Sequence, residues 1–403
     1  MSSQKYDVAF APINKRLIYL SFQLSKLLDE NNISSTILKT SLISSDHNGW
    51  NDLDSIHNFE GHTTPIPQIN YLKNSNFFTY SYRVIKSRLA MRKTYKPNFT
   101  CLIVFMDDFA EAEILIPLMK AHRIPVILFQ DGFFVRDKKY DFDLYSLGKF
   151  LRSRILPYFF TPKNYSENAN YIFSWSDYGF KDFLDSIKIN PKIIKIIGYP
   201  FQIGNKKLDD TREFKKILIL HSPLPSLVAE EGENLIFINI IKLLDKFNFD
   251  LFFKAHPRTG FKKIINLIKE HMQKGIIKKV SILDSSLSSE ALYGDYDILI
   301  MTPSASSIDA LYRGIPVIFI KSKYNKVKLI EDLAINDQVL LIDDINKLPQ
   351  VINKLNNDLS YRDSVISSGY EAARKIGGEL DIFNNTFPLE IKKILDTVNY
   401  DHK

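Results

Sequence analysis

Short, unbroken apolar runs recur along this chain, each followed by a stretch whose apolar positions return every three or four residues. A strand covered on both faces is apolar throughout, and a helix lying on a sheet is apolar on one stripe only, so the alternation predicts βαβ units and parallel sheets. Tyr6–Ala11 is the first predicted strand, a helix follows over 15–30, and Ser35–Ile43 is the next strand. Residues 45–70 are polar and contain Gly49, Gly61, Pro65 and Pro67, the composition of an inserted loop. An aromatic, basic helix is expected over 71–97, then a strand at Cys101–Met106, a helix over 109–121 and a strand at Ile124–Phe129. Strands at Tyr171–Ser174 and Ile193–Ile197 flank a helix near 178–187, and Gly198-Tyr199-Pro200 stops the series.

A second series begins after the polar stretch 202–213. It predicts strands at Lys216–Leu220, Asp250–Lys254, Val280–Leu283, Asp297–Met301, Ile315–Ile320 and Val339–Ile342. Helices over 231–247, 261–274 and 305–313 separate them, and 344–397 is helical. The expected fold class is α/β: two facing Rossmann-like domains followed by C-terminal helices. Their expected bounds are 1–204 and 205–380, with a helical tail over 381–403. In open parallel sheets ligands bind at the carboxyl ends of strands, near the point where strand order reverses. The residues that end strands therefore carry the functional argument.

Composition narrows the classes. At 403 residues the chain exceeds one usual core, and 45% hydrophobic with 25% charged residues is an ordinary globular balance. No apolar run approaches the roughly 20 residues that span a bilayer. The start, MSSQKYDVAFAPI, lacks a basic segment followed by an apolar one, so a cytoplasmic location is expected. A single cysteine, Cys101, sits in an apolar run and is expected in the core. The net charge of +7 suits an anionic partner without naming it. No Walker loop, strand-following GxGxxG, GxSxG or HExxH is present, which sets aside P-loop kinases, common dinucleotide enzymes, α/β-hydrolases and zincins.

Three constellations stand at predicted strand ends. Lys254-Ala255-His256-Pro257-Arg258 presents three cationic or donor side chains that suit phosphate oxygens, or else forms a solvated basic turn. Thr302-Pro303-Ser304-Ala305-Ser306-Ser307 opens a helix, where free N–H groups and the helix dipole suit an anion, or else is a plain cap. Asp309, one turn in, suits a ribose hydroxyl or complements the dipole. Gln130-Asp131-Gly132 exposes a carboxylate able to act as a general base, or forms an Asx turn. Asp107 and Asp108 make a neighbouring acidic pair with no spaced set of metal ligands around it. His221 and Ser222 follow a strand and can line the same nucleotide site. The stretches 71–99 and 148–165 mix Lys and Arg with aromatic residues, a mixture suited to a membrane interface or to helices packed on the domain. No nucleic-acid motif is present.

The order Gln-Asp-Gly, Gly-Tyr-Pro, Lys-x-His-Pro-Arg, a Ser-rich turn and Asp-Ala-Leu-x-x-Gly-Ile-Pro-Val resembles GT-B glycosyltransferases of bacterial surface polysaccharides. The likeness runs over about residues 100–320. It is greatest to polysialyltransferase-like, lipooligosaccharide sialyltransferase-like and Kdo transferase-like enzymes, and it extends to CDP-glycerol glycerophosphotransferases. The resemblance implies a nucleotide-activated sugar as donor, with a CMP-activated acidic sugar favoured, and a glycan or lipid-linked glycan as acceptor. It implies no metal and no cofactor. By the same resemblance His256 contacts the donor phosphate, Ser306 and Ser307 hold it with Ser304, and Asp131 deprotonates the acceptor. Gln130 stands where the family has an acid, and Asp309 where many members have Glu. A CDP-alditol phosphotransferase, a sugar-nucleotide epimerase and a non-catalytic glycan- or membrane-binding protein remain alternatives at this stage.

Overall fold

The structure is a computed structural model that describes residues 5–12, 15–39, 63–65, 86, 89–93, 95–105, 110–132, 169–178, 190–200, 213–221, 227–256, 261–285, 287, 292–323, 327–379 and 382–401. The chain divides into two compact units, Met1–Pro200 with Glu379–Lys403, and Phe201–Gly378.

The first unit is built on seven strands: β1 (Tyr6–Ala11), β2 (Ser35–Lys39), β3 (Thr63–Pro65), β4 (Phe99–Val104), β5 (Val126–Phe129), β6 (Tyr171–Ser174) and β7 (Ile194–Ile196). All pair in parallel, in the order β3-β2-β1-β4-β5-β6-β7. Strand order reverses between β1 and β4. Every residue of β5 is buried, and so are the last four of β4, which is why both read as continuous apolar runs. Helix α1 (Lys15–Glu30) turns Leu17, Leu20, Leu24 and Leu28 inward at three- and four-residue spacing. Its two buried serines are satisfied locally: Ser21 Oγ donates to the Leu17 carbonyl at 2.7 Å, and Ser25 Oγ lies 2.6 Å from Ser35 Oγ on β2.

Helix α2 (Ala110–Ala121) connects β4 to β5. The sequence placed the fourth strand at Cys101–Met106, two residues late. Pairing with β1 sets its bounds, aligning Tyr6 with Phe99 and Ala11 with Val104. The loop expected over 45–70 contains β3, a three-residue edge strand with no apolar signal, ending in proline as edge strands tolerate.

The second unit has six parallel strands: β8 (Lys216–Leu220), β9 (Asp250–Lys254), β10 (Ser281–Leu283), β11 (Ile298–Met301), β12 (Val317–Ile320) and β13 (Leu340–Ile342). Their order is β10-β9-β8-β11-β12-β13, so direction of progression reverses between β8 and β11. Its helices are α3 (Leu227–Leu244), α4 (Phe261–Gln273), α5 (Ser306–Tyr312), α6 (Lys328–Ile335), α7 (Leu348–Asn357) and α8 (Leu359–Gly377). The short α6 has no counterpart in the sequence expectation. Its core is continuous from Phe237 and Ile241 on α3 through Ile217, Phe253, Ile300 and Ile318 on the sheet to Ile352 on α7.

Arg362, at the start of α8, is buried and caps the end of α7. Its Nε donates to the Leu355 carbonyl at 2.7 Å, a terminal nitrogen donates to the Asn356 carbonyl at 3.1 Å, and its guanidinium lies 4.2 Å from the Phe214 ring centre.

The last helix, α9 (Phe383–Asp401), belongs to the first unit. Phe387 meets Phe129 at 5.8 Å and Phe173 at 6.0 Å between ring centres, edge to face in both cases. Gly198, just after β7, takes φ +83°, and a Cβ there would lie 3.2 Å from both the Glu379 carbonyl oxygen and the Phe383 nitrogen. A side chain there would be strained by the positive φ and would press on that backbone, which favours glycine.

Candidate functional site

The second unit gathers polar residues at the carboxyl ends of its central strands. Leu220, the last residue of β8, is in register with Lys254 on β9 and with Met301 on β11. The residues that leave those strands, His221, Ala255-His256 and Thr302, therefore emerge side by side at the reversal of strand order. Strands in one sheet lie about 4.8 Å apart. His221 N donates to the Lys254 carbonyl at 3.0 Å, which ties two of these exits together. Lys254 is buried and His256 half-buried. Pro257, Arg258 and Ser222 lie outside the described residues, as do Asp107 and Asp108, residues 148–165 and most of 71–99.

The Thr302–Ser307 segment is a tight turn into α5. Ser307 N donates to the Ser304 carbonyl at 3.0 Å and Ile308 N to the Ala305 carbonyl at 3.1 Å. Ser307 is buried, and its hydroxyl donates to the Ser304 carbonyl at 2.7 Å, so it braces the turn from inside. Ser304 and Ser306 are half-buried with hydroxyls 3.2 Å apart, and the Tyr293 hydroxyl donates to the Ser306 carbonyl at 2.6 Å. Of the three serines, these two are not fully buried. Asp309 is buried within the unit.

His221 is buried between Phe237 and Phe253. Burial drives its pKa down to about 4, and the nearby Asn234 amide pulls it part of the way back. It is therefore a neutral imidazole at neutral pH. Two residues absent from the sequence expectation complete this region: Glu233 and Asn234 on α3 are fully buried behind the strand ends. Burial pushes the Glu233 carboxyl up to about 7, opposed by the Thr302 hydroxyl beside it. Their signal was present in the sequence. They stand four residues before Phe237 and Ile238, on the core-facing side of α3.

The first unit holds the Gln130-Asp131-Gly132 turn after β5. Gln130 is buried, and its side-chain oxygen accepts from Ser174 Oγ and from Trp175 N, both at 2.9 Å. Its side-chain nitrogen donates to the Gly132 carbonyl at 3.0 Å, and Trp175 Nε1 donates to the Gln130 carbonyl at 2.9 Å. The amide therefore faces into the unit and fixes the turn, while Asp131 and Gly132 are half-buried at its tip. Cys101 is a buried core thiol, as the sequence suggested. Among the described residues no group of three His, Cys, Asp or Glu is placed to hold a metal, and no helix is long and apolar enough to cross a membrane.

Residues 143–296 match the family model of alpha-2,8-polysialyltransferase (POLYST). The matched stretch contains Lys254 and His256 and stops before Thr302. No curated protein matches the chain. Among solved structures, a putative UDP-N-acetylglucosamine 2-epimerase from Listeria monocytogenes is similar at 13% identity and TM-score 0.59, over 99% of this chain and 97% of that one. A glycosyltransferase from Rickettsia africae is similar at 15% identity and TM-score 0.56, over 97% and 99% of the two chains. HepE from Anabaena, solved with UDP-glucose, is similar at 12% identity and TM-score 0.56, over 97% and 100%. These likenesses show the fold, two parallel α/β sheets of the GT-B kind. The family match supports the glycosyltransferase class that the strand-end motifs suggested.

Proposed function

We propose that the protein transfers a sugar from a nucleotide-activated donor, a CMP-activated acidic sugar, to a bacterial surface-glycan acceptor. The observation that carries this reading is the convergence of Lys254, His221 and Thr302 at the strand-order reversal of the second unit, with His256 and the Ser304–Ser306 pair following directly. The partial polysialyltransferase match supports the acidic-sugar donor, and HepE holding UDP-glucose supports a nucleotide sugar.

As the donor bond breaks, negative charge grows on the departing phosphate. Lys254, His256 and Arg258 with the hydroxyls of Ser304 and Ser306 stabilise it, without a metal or cofactor. Ser307 shapes that turn, and Asp309 acts on the ribose side. In the first unit Asp131 takes the acceptor proton, held in place by the Gln130 hydrogen bonds. The basic, aromatic stretches 71–99 and 148–165 support a peripheral seat on the inner face of the plasma membrane.

Thermal unfolding with CMP, CDP, UDP and GDP tests the donor. A nucleotide at ~100 times its dissociation constant adds about 2.7 kcal/mol of stability. A response to CMP is expected, and silence from all four would sink the proposal. Asp131→Asn is expected to abolish transfer and spare CMP binding, whereas His256→Ala weakens both. Near-normal turnover in Asp131→Asn would remove Asp131 from the role of base.

A further inference from the structure

Glu233 is 0% exposed, and apart from the Thr302 hydroxyl beside it its carboxyl has no partner among the described residues. The Asn234 and His221 side chains are likewise buried and have only each other as polar partners among the described residues. Phe237 packs against the His221 ring at 5.3 Å, and β8 pairs with β11, so Glu233 and Asn234, one helical turn before Phe237 and Ile238, lie at the strand ends of the reversal point, Glu233 beside the Thr302 hydroxyl and Asn234 beside His221. A lone ionised carboxylate in such a place is very costly, and a carboxylic acid is much less so.

Among the described residues no charged neighbour is found to offset that cost. The shift of Glu233 comes from burial, opposed only by Thr302. The other titratable groups that the described residues bring to these elements are the neutral His221 after β8, Lys254 and His256 at the end of β9, Tyr293 on the Ser306 carbonyl and Asp309 in α5. On α3 itself Glu231 is exposed and paired with Lys263 of α4 at 2.5 Å.

We infer that Glu233 is a positioning residue of the donor site: its protonated carboxyl supports the Thr302–Ser307 turn from α3, and loss of that proton puts a negative charge behind the turn and turns a phosphate away. The inference rests on the reading of that turn as the donor-phosphate subsite. The step is a simple dissociation, in which the carboxyl O–H breaks, the electron pair stays on oxygen and the proton goes to water. At neutral pH the group stands near its midpoint, so the site closes progressively as pH rises.

Two measurements on the full chain test it, in wild type and in Glu233→Gln, whose amide has the shape of the neutral acid. The first is amide hydrogen exchange over residues 302–308 at pH 6 and pH 8.5. Beyond the ordinary pH effect, wild type is expected to lose protection and Glu233→Gln to keep it. The second is CMP affinity by calorimetry. Between pH 6 and pH 8.5 wild type is expected to lose up to about thirtyfold more affinity than Glu233→Gln, the ratio of protonated fractions for a midpoint of about 7, because the CMP phosphate's own titration at pH ~6 affects both proteins alike.

If CMP binds and both proteins respond to pH alike in both measurements, the inference fails and the donor reading stands. If the exchange difference appears while CMP, CDP, UDP and GDP all fail to bind, the donor reading fails instead. Should Glu233→Gln not fold, the wild-type protonated-carboxyl infrared band decides. Its loss together with exchange protection, at a midpoint near 7, supports the inference. A midpoint in the ordinary carboxylate range overturns it.

Discussion

Gln130→Met replaces a buried amide by an apolar side chain of similar length and so removes three hydrogen bonds without opening a large cavity. The bonds differ in what their loss costs. Ser174 Oγ keeps a second acceptor, the Ser176 carbonyl at 3.1 Å, so it is not left bare. The Gly132 carbonyl is at the half-buried tip, where water replaces the amide. Trp175 N loses the acceptor 2.9 Å away in a region without water, since Trp175 is fully buried against Tyr199 at 4.9 Å between ring centres.

A buried donor left unsatisfied costs about 1–3 kcal/mol, and the other two bonds together add about 1 kcal/mol. The expected loss is therefore about 2–4 kcal/mol, or about 4–15 °C in the unfolding midpoint of a unit of this size. Gln130→Glu keeps both acceptor contacts but loses the donor to Gly132 and buries a charge, so it is expected to be no better than Met. Calorimetric scanning of wild type and both variants supplies the check. If Gln130→Met unfolds within about 0.5 kcal/mol of wild type, the amide does not hold the turn, and Asp131 owes its position to something else.

Two further outcomes follow from buried charge. Arg362→Met removes the charged donors at the end of α7 and the stack on Phe214, and it should destabilise the second unit by about 2–4 kcal/mol in urea unfolding. Arg362→Lys should recover little, because an ammonium cannot reach two carbonyls in a fork; full recovery would refute that geometry. His221 is buried in its neutral form, with a pKa of about 4 against an ordinary 6.5, so its contribution is fully present above about 6.5 and fades as pH falls toward 4. In His221→Gln the difference in unfolding free energy between pH 7 and pH 4.5 should shrink by about 2–3 kcal/mol, at 1.36 kcal/mol per pH unit. An unchanged difference would mean that the imidazole is not desolvated.

The strands were legible because parallel strands covered on both faces leave unbroken apolar runs, and Asp250–Lys254, Lys216–Leu220 and Tyr171–Ser174 fall where those runs fall. The edge strand Thr63–Pro65 was not, since two threonines and a proline have no apolar run to show. That Lys254, His256 and Thr302 stand at strand ends was legible because the end of an apolar run is a local property. The role of Gln130 was hidden, because its partners Ser174 and Trp175 lie 44 and 45 residues further on and only the pairing of β5 with β6 brings them to it. Glu233 was missed for a different reason. The expected helix began at 231, although α3 starts at Leu227, so the two polar positions on its core face fell within the first turn of the expected helix.

The first unit takes its last helix from the far end of the chain, and this sets an order of events during synthesis. When residue 200 leaves the ribosome, the aromatic face made by Phe129 and Phe173 has no cover, because Phe383 and Phe387 have not been made. Another 178 residues, the whole of Phe201–Gly378, must be translated first. At about 5–20 residues per second that interval is roughly 10–40 s. The second unit, continuous in sequence, can finish folding during it. The unit made first is thus completed last, and for those seconds the nascent chain offers chaperones an aromatic surface that the finished protein conceals.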